Sequence, residues 1–200
     1  MKNDKTVFTL WSGGLDSTYL IHKLLCDGYK VRAGYCEIMN NQDQIRAEKK
    51  AISIMKPFFE KYDFNYLGVI ARAEILRVSE PVCLKQVPFF LFTAVQCCGD
   101  EDEIAMGYVM NDDAISYLPD IEAIYKSYAG ICDRPLPKLT FPLVKISKQR
   151  IIREIPKHLL RNISFCEFGT NCGTCVSCER WKQLQEYGKY PKNLKREFLK

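Results

Sequence analysis

The chain has 200 residues, 47% of them apolar, which is enough for one domain with a sizeable core or one domain with a small appendage. No apolar run approaches the length of a membrane span, and Met1-Lys2-Asn3-Asp4-Lys5 leads straight into a strand pattern without the apolar stretch of a signal peptide, so a soluble, cytoplasmic protein with no membrane partner is expected. The net charge of +5 resides in residues 180–200, where Arg180, Lys182, Lys189, Lys192, Lys195, Arg196 and Lys200 face Glu186 and Glu197; the balanced body gives no reason to assign nucleic-acid binding, and a short basic end reads first as solvated.

Thr6 to Trp11 is β-branched and aromatic and reads as a strand, whereas Tyr19 to Leu25 suits a helix. Between them lies Ser12-Gly13-Gly14-Leu15-Asp16-Ser17-Thr18, at the strand-to-helix turn where an open α/β sheet puts its ligand. Gly13 and Gly14 can take positive φ and bring backbone close to a ligand, and Ser17 and Thr18 open a helix whose unpaired N–H groups face the turn. A phosphate would be held by backbone and hydroxyls. Neither the Walker A pattern nor G-x-G-x-x-G is present. Asp16 would be misplaced beside a triphosphate without Mg²⁺ between them, so the turn points to a metal–nucleotide complex, against the plainer reading of an ordinary Ser/Asp helix start. SGGLDS resembles the pyrophosphate-loop (PP-loop) signature S-G-G-x-D-S of the ATP pyrophosphatases, which cut ATP between the α- and β-phosphates.

Further along, Lys30 to Cys36 reads as a second strand and Gln44 to Tyr62 as a helix that Pro57 kinks or divides. Asn65 to Ile70 is a third strand, and this β-α-β-α-β order predicts a parallel sheet with helices on both faces. Leu84 to Cys98 holds a buried helix from about Phe89, and Glu103 to Tyr108 is a fourth strand. A polar loop at Asn111-Asp112-Asp113 precedes a helix from Asp120 to Ala129. Leu139 to Leu143 is extended, Ser147 caps a helix to Glu154, and Pro156 to Ile163 forms a last short helix.

With no sign of export, ten cysteines read as thiols or metal thiolates rather than disulfides. Cys26, Cys36, Cys83, Cys97, Cys98 and Cys132 are scattered through apolar segments and are expected to be small core residues. Cys166-x5-Cys172-x2-Cys175-x2-Cys178 is different: it has the spacing of a tetrathiolate zinc site, with Gly173 helping the chain fold around the ion. A redox dithiol and an iron–sulfur cluster are the alternatives. Four cysteines leave no position for water, so the zinc would be structural, and its removal would unfold this piece. The chain thus divides into a nucleotide-binding domain over 1–160 and a four-cysteine segment with a basic tail over 161–200.

The PP-loop and the four-cysteine site together resemble the 7-cyano-7-deazaguanine synthase (QueC) family over nearly the whole chain. Arg46-Ala47-Glu48 is similar to the family's R-A-E at the start of its second helix, and Ser116-Tyr117-Leu118-Pro119-Asp120 to its S-G-Y-P-D loop. Thr140-Phe141-Pro142-Leu143 with Ile146-Ser147-Lys148 resembles its T-P-L and D-K-A-E stretches. The resemblance implies an adenine nucleotide alpha hydrolase-like fold: an open parallel α/β sheet with a small C-terminal zinc-binding subdomain. It also implies an ATP-dependent ligase of queuosine biosynthesis, which adenylates 7-carboxy-7-deazaguanine and reacts it with ammonia to give amide and then nitrile. Leu10, Trp11, Ser12, Gly13, Gly14, Leu15, Asp16, Ser17 and Thr18 would bind ATP with Mg²⁺. Asp16, Ser17 and Lys148 would act in catalysis, although Lys148 reads equally well as a solvated helix residue. Relatives are commonly homodimers; Phe89, Phe90 and Phe92 are candidates for an interface, with packing against the core the plainer reading.

The chain departs from that family where substrate should bind. Ile45 replaces a histidine, Val87-Pro88-Phe89-Phe90 lacks a glycine, an arginine and an asparagine, and Pro119-Asp120-Ile121-Glu122 lacks an arginine. Two other readings therefore stand beside the first: a PP-loop enzyme that modifies tRNA or attaches a deazaguanine to another macromolecule, and a non-catalytic nucleotide-binding subunit.

Overall fold

Apolar side chains alternate along the first strand so that Val7 and Trp11 enter one core and Phe8 enters another. That alternation requires cover on both faces of a sheet. In the computed structural model, which describes residues 4–38, 41–73 and 86–189, the cover is supplied by helices. Cys83, Leu84 and the tail charges from Lys192 onward lie outside the described residues.

The elements run β1 (Thr6–Leu10), α1 (Leu15–Cys26), β2 (Lys30–Ile38), α2 (Gln42–Phe59), β3 (Phe64–Ala73), α3 (Val87–Cys97), β4 (Glu103–Ala105), a 3₁₀ turn (Asp113–Tyr117), α4 (Leu118–Ala129), β5 (Lys138–Thr140), α5 (Lys148–Glu154), α6 (Lys157–Leu160) and α7 (Val176–Lys189). The strands pair in the order β3-β2-β1-β4-β5, and every pairing is parallel. The open parallel α/β sheet is thus as the sequence implies. Right-handed crossovers then place α1 and α2 on one face and α3 and α4 on the other. The two cores follow this division: Leu20, Ile21, Ile52 and Met55 join Val7 and Trp11, while Ala94, Val95 and Tyr125 join Phe8 and Ile104. Among the described residues, no helix is long and apolar enough to cross a membrane.

Several boundaries differ from the sequence reading, each for a local reason. Helix α2 begins two residues earlier, because the Asn41 side chain accepts from the N–H groups of Asp43 and Gln44. Pro57 sits inside α2 without dividing it. Strand β4 stops at Ala105: Met106 still donates to the Thr140 carbonyl, but Gly107 and Tyr108 leave the ladder and border a pocket. Helix α1 starts at Leu15, so Ser17 and Thr18 lie in its first turn rather than open it. Cys36 and Cys98 are buried as expected, whereas Cys26, at the last position of α1, is exposed.

Of the two loop glycines, Gly13 alone adopts positive φ, at 73°; Gly14 is extended at φ −78° and ψ 172°. Gly13 also lies against α2, where an added Cβ would stand 3.0 Å from the Glu48 carbonyl oxygen and 3.2 Å from Ala51 Cβ. Gly13→Ala is therefore expected to lower stability by about 1–3 kcal/mol through left-handed strain and that contact. Urea denaturation measures this directly, and an unchanged midpoint would contradict the packing described.

Candidate functional site

Strand order reverses at β1: the chain proceeds from β1 through β2 to β3 on one side, then returns to β4 on the other. Such a reversal leaves a crevice beyond the carboxyl ends of the two strands at the switch. Here it is a pocket of about 1180 Å³, floored by the ends of β1, β2 and β4 and walled by the starts of α2 and α3. Leu10, Trp11, Ser12, Gly14, Leu15, Asp16 and Ser17 all border it.

Gly13 and Thr18 support the loop from beneath. The Thr18 hydroxyl, fully buried, accepts from Trp11 Nε1 at 3.0 Å, and the Trp11 ring packs edge-on against Phe59, Phe64 and Tyr66. Both side chains are thereby committed to the core, so the hydroxyls free to meet a phosphate are those of Ser12 and Ser17. These two lie 3.1 Å apart and bond to one another. The N-cap residue Gly14 provides no side-chain acceptor for the first turn of α1, which leaves those N–H groups for an anion.

Asp16 sits within that first turn. Lys148 Nζ reaches its Oδ2 at 3.1 Å, so two residues that the sequence marked separately, Asp16 and Lys148, are brought together from distant parts of the chain. Lys148 is the first residue of α5, whose start is capped by Ser147 and whose end is tied to α1 by the Tyr19 hydroxyl donating to Glu154. The other oxygen, Asp16 Oδ1, is buried without a hydrogen-bond partner. Burial pushes the Asp16 carboxyl above its ordinary range, and Lys148 pulls part of the way back. A buried, half-satisfied carboxylate at a helix start fits a hard divalent cation such as Mg²⁺, which takes one or two carboxylates together with substrate phosphates.

Other groups in the pocket were not named as site residues from sequence, although Glu48 belongs to the Arg46-Ala47-Glu48 match. Glu48, on α2, accepts from the Tyr35 hydroxyl at 2.5 Å and from Gln44 Nε2 at 3.0 Å, and burial raises its carboxyl above the usual range. Tyr108 and Asp112 follow β4. Only the strand order reveals that the end of β4 shares the switch point; the polar run at Asn111-Asp112-Asp113 was the available signal. Of the departures noted in the sequence, Ile45 and Phe90 border the pocket, while Ile121 is buried and does not.

The four cysteines also meet. Their sulfurs lie within 4.8 Å of one another, with Cys166–Cys172 at 3.8 Å and Cys172–Cys178 at 3.9 Å. A tetrahedral ion with Zn–S bonds of about 2.3 Å needs sulfurs about 3.8 Å apart. The backbone N–H of Cys175 donates to Cys172 Sγ, and that of Cys178 to Cys175 Sγ, both at 3.4 Å. The Thr174 hydroxyl and the N–H groups of Thr174 and Cys175 pull the Cys172 thiol down to about 6, while burial and the neighbouring thiols push Cys178 up to about 12. A dication would let all four ionise, so the donor set could hold a metal ion.

This segment closes one side of the pocket. Ser164 N–H donates to the Gly13 carbonyl at 2.8 Å, Asn41 Nδ2 donates to the Glu167 carbonyl at 3.1 Å, and Glu167 and Phe168 border the cavity. Gly169 has φ +70° and is pressed so closely on Asp43 that any Cβ would collide with its carbonyl.

No protein-family model and no curated protein sequence matches this chain. Among solved structures, it is similar to a 4-thiouridine synthetase determined in complex with RNA and with bound ATP, at a TM-score of 0.50 and 15% identity, over 92% of this chain and 50% of that one. This chain thus spans half the length of that synthetase. A predicted subunit of tRNA methyltransferase from Methanocaldococcus jannaschii matches with a TM-score of 0.48 and 12% identity, over 74% of this chain and 73% of that one. The fold is of the PP-loop type.

Two outcomes follow for the site. Since Asp16 has a folded pKa above its ordinary 3.8, its ionised form costs stability as pH rises past that value and the cost disappears below it. Asp16→Asn should therefore leave the ligand-free melting temperature at pH 7 unchanged or raised by a few degrees; a clear fall would mean that the carboxylate is structural. Cys175→Ser should abolish a metal content of about one ion per chain, read by elemental analysis, and lower the unfolding midpoint. Full metal retention in that variant would contradict the tetrathiolate assignment.

Proposed function

We propose that the chain is an ATP pyrophosphatase that adenylates a carboxylate on a 7-deazaguanine-type acceptor and hands it to ammonia. The observation that carries the reading is the SGGLDST loop at the switch point, with uncapped helix N–H groups, two facing hydroxyls and the half-satisfied Asp16 in one large pocket.

In this reading the first turn of α1, with Ser12 and Ser17, holds the β- and γ-phosphates and stabilises the charge that grows on them as they leave. Asp16 would hold Mg²⁺, which supplies charge neutralisation along the phosphate chain. Lys148 leaves or shares its carboxylate to meet the phosphates. The acceptor carboxylate is already a nucleophile at neutral pH, so no base is required. Its oxygen forms a bond to the α-phosphorus as the bond from that phosphorus to the bridging oxygen breaks and pyrophosphate departs. Ammonia then adds to the acyl carbon, AMP leaves and a proton is lost, giving the amide. A second adenylation, on the amide oxygen, followed by loss of AMP and protons gives the nitrile. Cys166, Cys172, Cys175 and Cys178 would hold zinc, which would serve the architecture by fixing the wall that carries Glu167 and Phe168.

Apolar Ile45 and Phe90 in the pocket wall, where the resembled family has polar groups, favour an acceptor read differently from the usual one. A planar acid needs fixed donors and acceptors to be recognised, and these positions offer none. An RNA-borne acceptor is the second reading; the 4-thiouridine synthetase of similar fold was solved with RNA, and the sequence-terminal charge excess agrees.

Incubation with ATP, Mg²⁺, 7-carboxy-7-deazaguanine and ammonium, followed by mass spectrometry, is expected to show the nitrile or amide formed in step with AMP. Asp16→Asn should reduce that rate at least about 100-fold. AMP formed only when tRNA is supplied would move the assignment to the RNA acceptor, and ATP bound but never cleaved would refute catalysis.

A further inference from the structure

Tyr108, just beyond β4, has no part in that chemistry, yet it borders the pocket, and its hydroxyl is buried with no hydrogen-bond partner. Its ring stacks on Phe141, with centroids 6.1 Å apart and planes at 30°, so the orphan does not come from a loose side chain. Folds rarely leave a hydroxyl buried and unpaired unless a ligand or water completes it. The same is true of Asp16 Oδ1 in the same pocket, where a cation fits.

Position and charge narrow what the hydroxyl meets. Gly107, next to it, lies so near the first turn of α1 that an added Cβ would stand 3.8 Å from Ser17 Cα and 3.9 Å from the Asp16 carbonyl carbon. Tyr108 is thus adjacent to the place where the phosphate chain is held, within reach of whatever is bonded to that chain. The charge felt by its ring is that of Asp112, which also acts on Asp16. The phosphates have the first turn of α1 and the cation that Asp16 would hold to offset Asp112, whereas the Tyr108 hydroxyl has no such cover, so an uncharged acceptor suits it better than an anionic oxygen. Burial and Asp112 both hold the phenol protonated, which makes it a donor.

We propose that Tyr108 donates a hydrogen bond to an uncharged acceptor of the nucleotide's nucleoside half, a base nitrogen or the ribose 2′-oxygen, and so reads the nucleoside rather than the phosphates. The inference rests on the pocket being the Mg²⁺–ATP site. It makes the end of β4 the specificity arm of a pocket whose anchoring arm is the loop after β1.

Calorimetric binding of Mg²⁺–ATP and of Mg²⁺–tripolyphosphate, compared between the wild type and Tyr108→Phe, tests it together with the ligand-free melting temperature. Tyr108→Phe should weaken ATP about five- to tenfold and leave tripolyphosphate unchanged. Its ligand-free melting temperature should be equal or higher, because an unpaired buried hydroxyl has been removed. With 2′-deoxyATP the penalty persists for a base-nitrogen partner and vanishes for the 2′-oxygen. Unchanged ATP affinity in the variant would overturn the inference while leaving the nucleotide reading intact. Equal weakening of both probes with a lowered melting temperature would overturn it in favour of a structural role. If the wild type binds neither probe, the nucleotide reading falls and the inference with it.

Discussion

The reversal of strand order at β1 governs the rest of the molecule. Because β2 and β4 flank β1 and their crossovers lie on opposite faces, the carboxyl end of β1 opens into a crevice. The chain then turns into α1 through Gly13, the one loop residue in the left-handed region, with α2 packed directly against it. That turn aims the uncapped first turn of α1 at the crevice. Glu48 and Tyr108 come to the pocket, and Lys148 to the Asp16 carboxylate at its edge, because their elements pack around the same turn.

The cysteine segment belongs to this arrangement as well. Its backbone bonds to the loop at Gly13 and to α2 at Asn41, while Phe165 stacks on Trp181 of α7 at 4.8 Å and packs against the main core. A short loop such as 166–175 has little apolar surface with which to hold a fixed shape. A metal on four thiolates would therefore supply the rigidity that lets Glu167 and Phe168 act as a pocket wall. The four-cysteine cluster and the candidate nucleotide pocket are thus joined through the hydrogen bonds of Ser164 to Gly13 and of Asn41 to Glu167.

The parts of this that could be read in the sequence are those set by local pattern. Alternation, turn residues and helix caps marked β1, β2, Ser147 and the cysteine spacing, because each depends on neighbours a few positions apart. Element ends were harder, since β4 stops at Ala105 only where its partner strand stops. The positive φ open to Gly14 is not used, because Gly14 is the N-cap of α1 in extended conformation. Ser12 and Ser17 were each in view from the motif as phosphate-binding residues, whereas their contact with one another and the commitment of Thr18 to Trp11 required the fold to be assembled first. Glu48 with Tyr35, and the unpaired Tyr108 hydroxyl, depend on which strand ends meet, and strand order is not a local property.

Everything proposed for the pocket depends on which bond of ATP is broken. Phosphorus NMR of a reaction containing the protein, Mg²⁺, ATP, ammonium and the deazaguanine acid, with a tRNA-supplemented sample alongside, reports this whatever the final product is. Signals of AMP and inorganic pyrophosphate growing together in equal amounts are predicted in at least one sample, and their loss in Asp16→Asn. Growth of ADP and inorganic phosphate instead, or ATP left intact in both, would contradict the central claim.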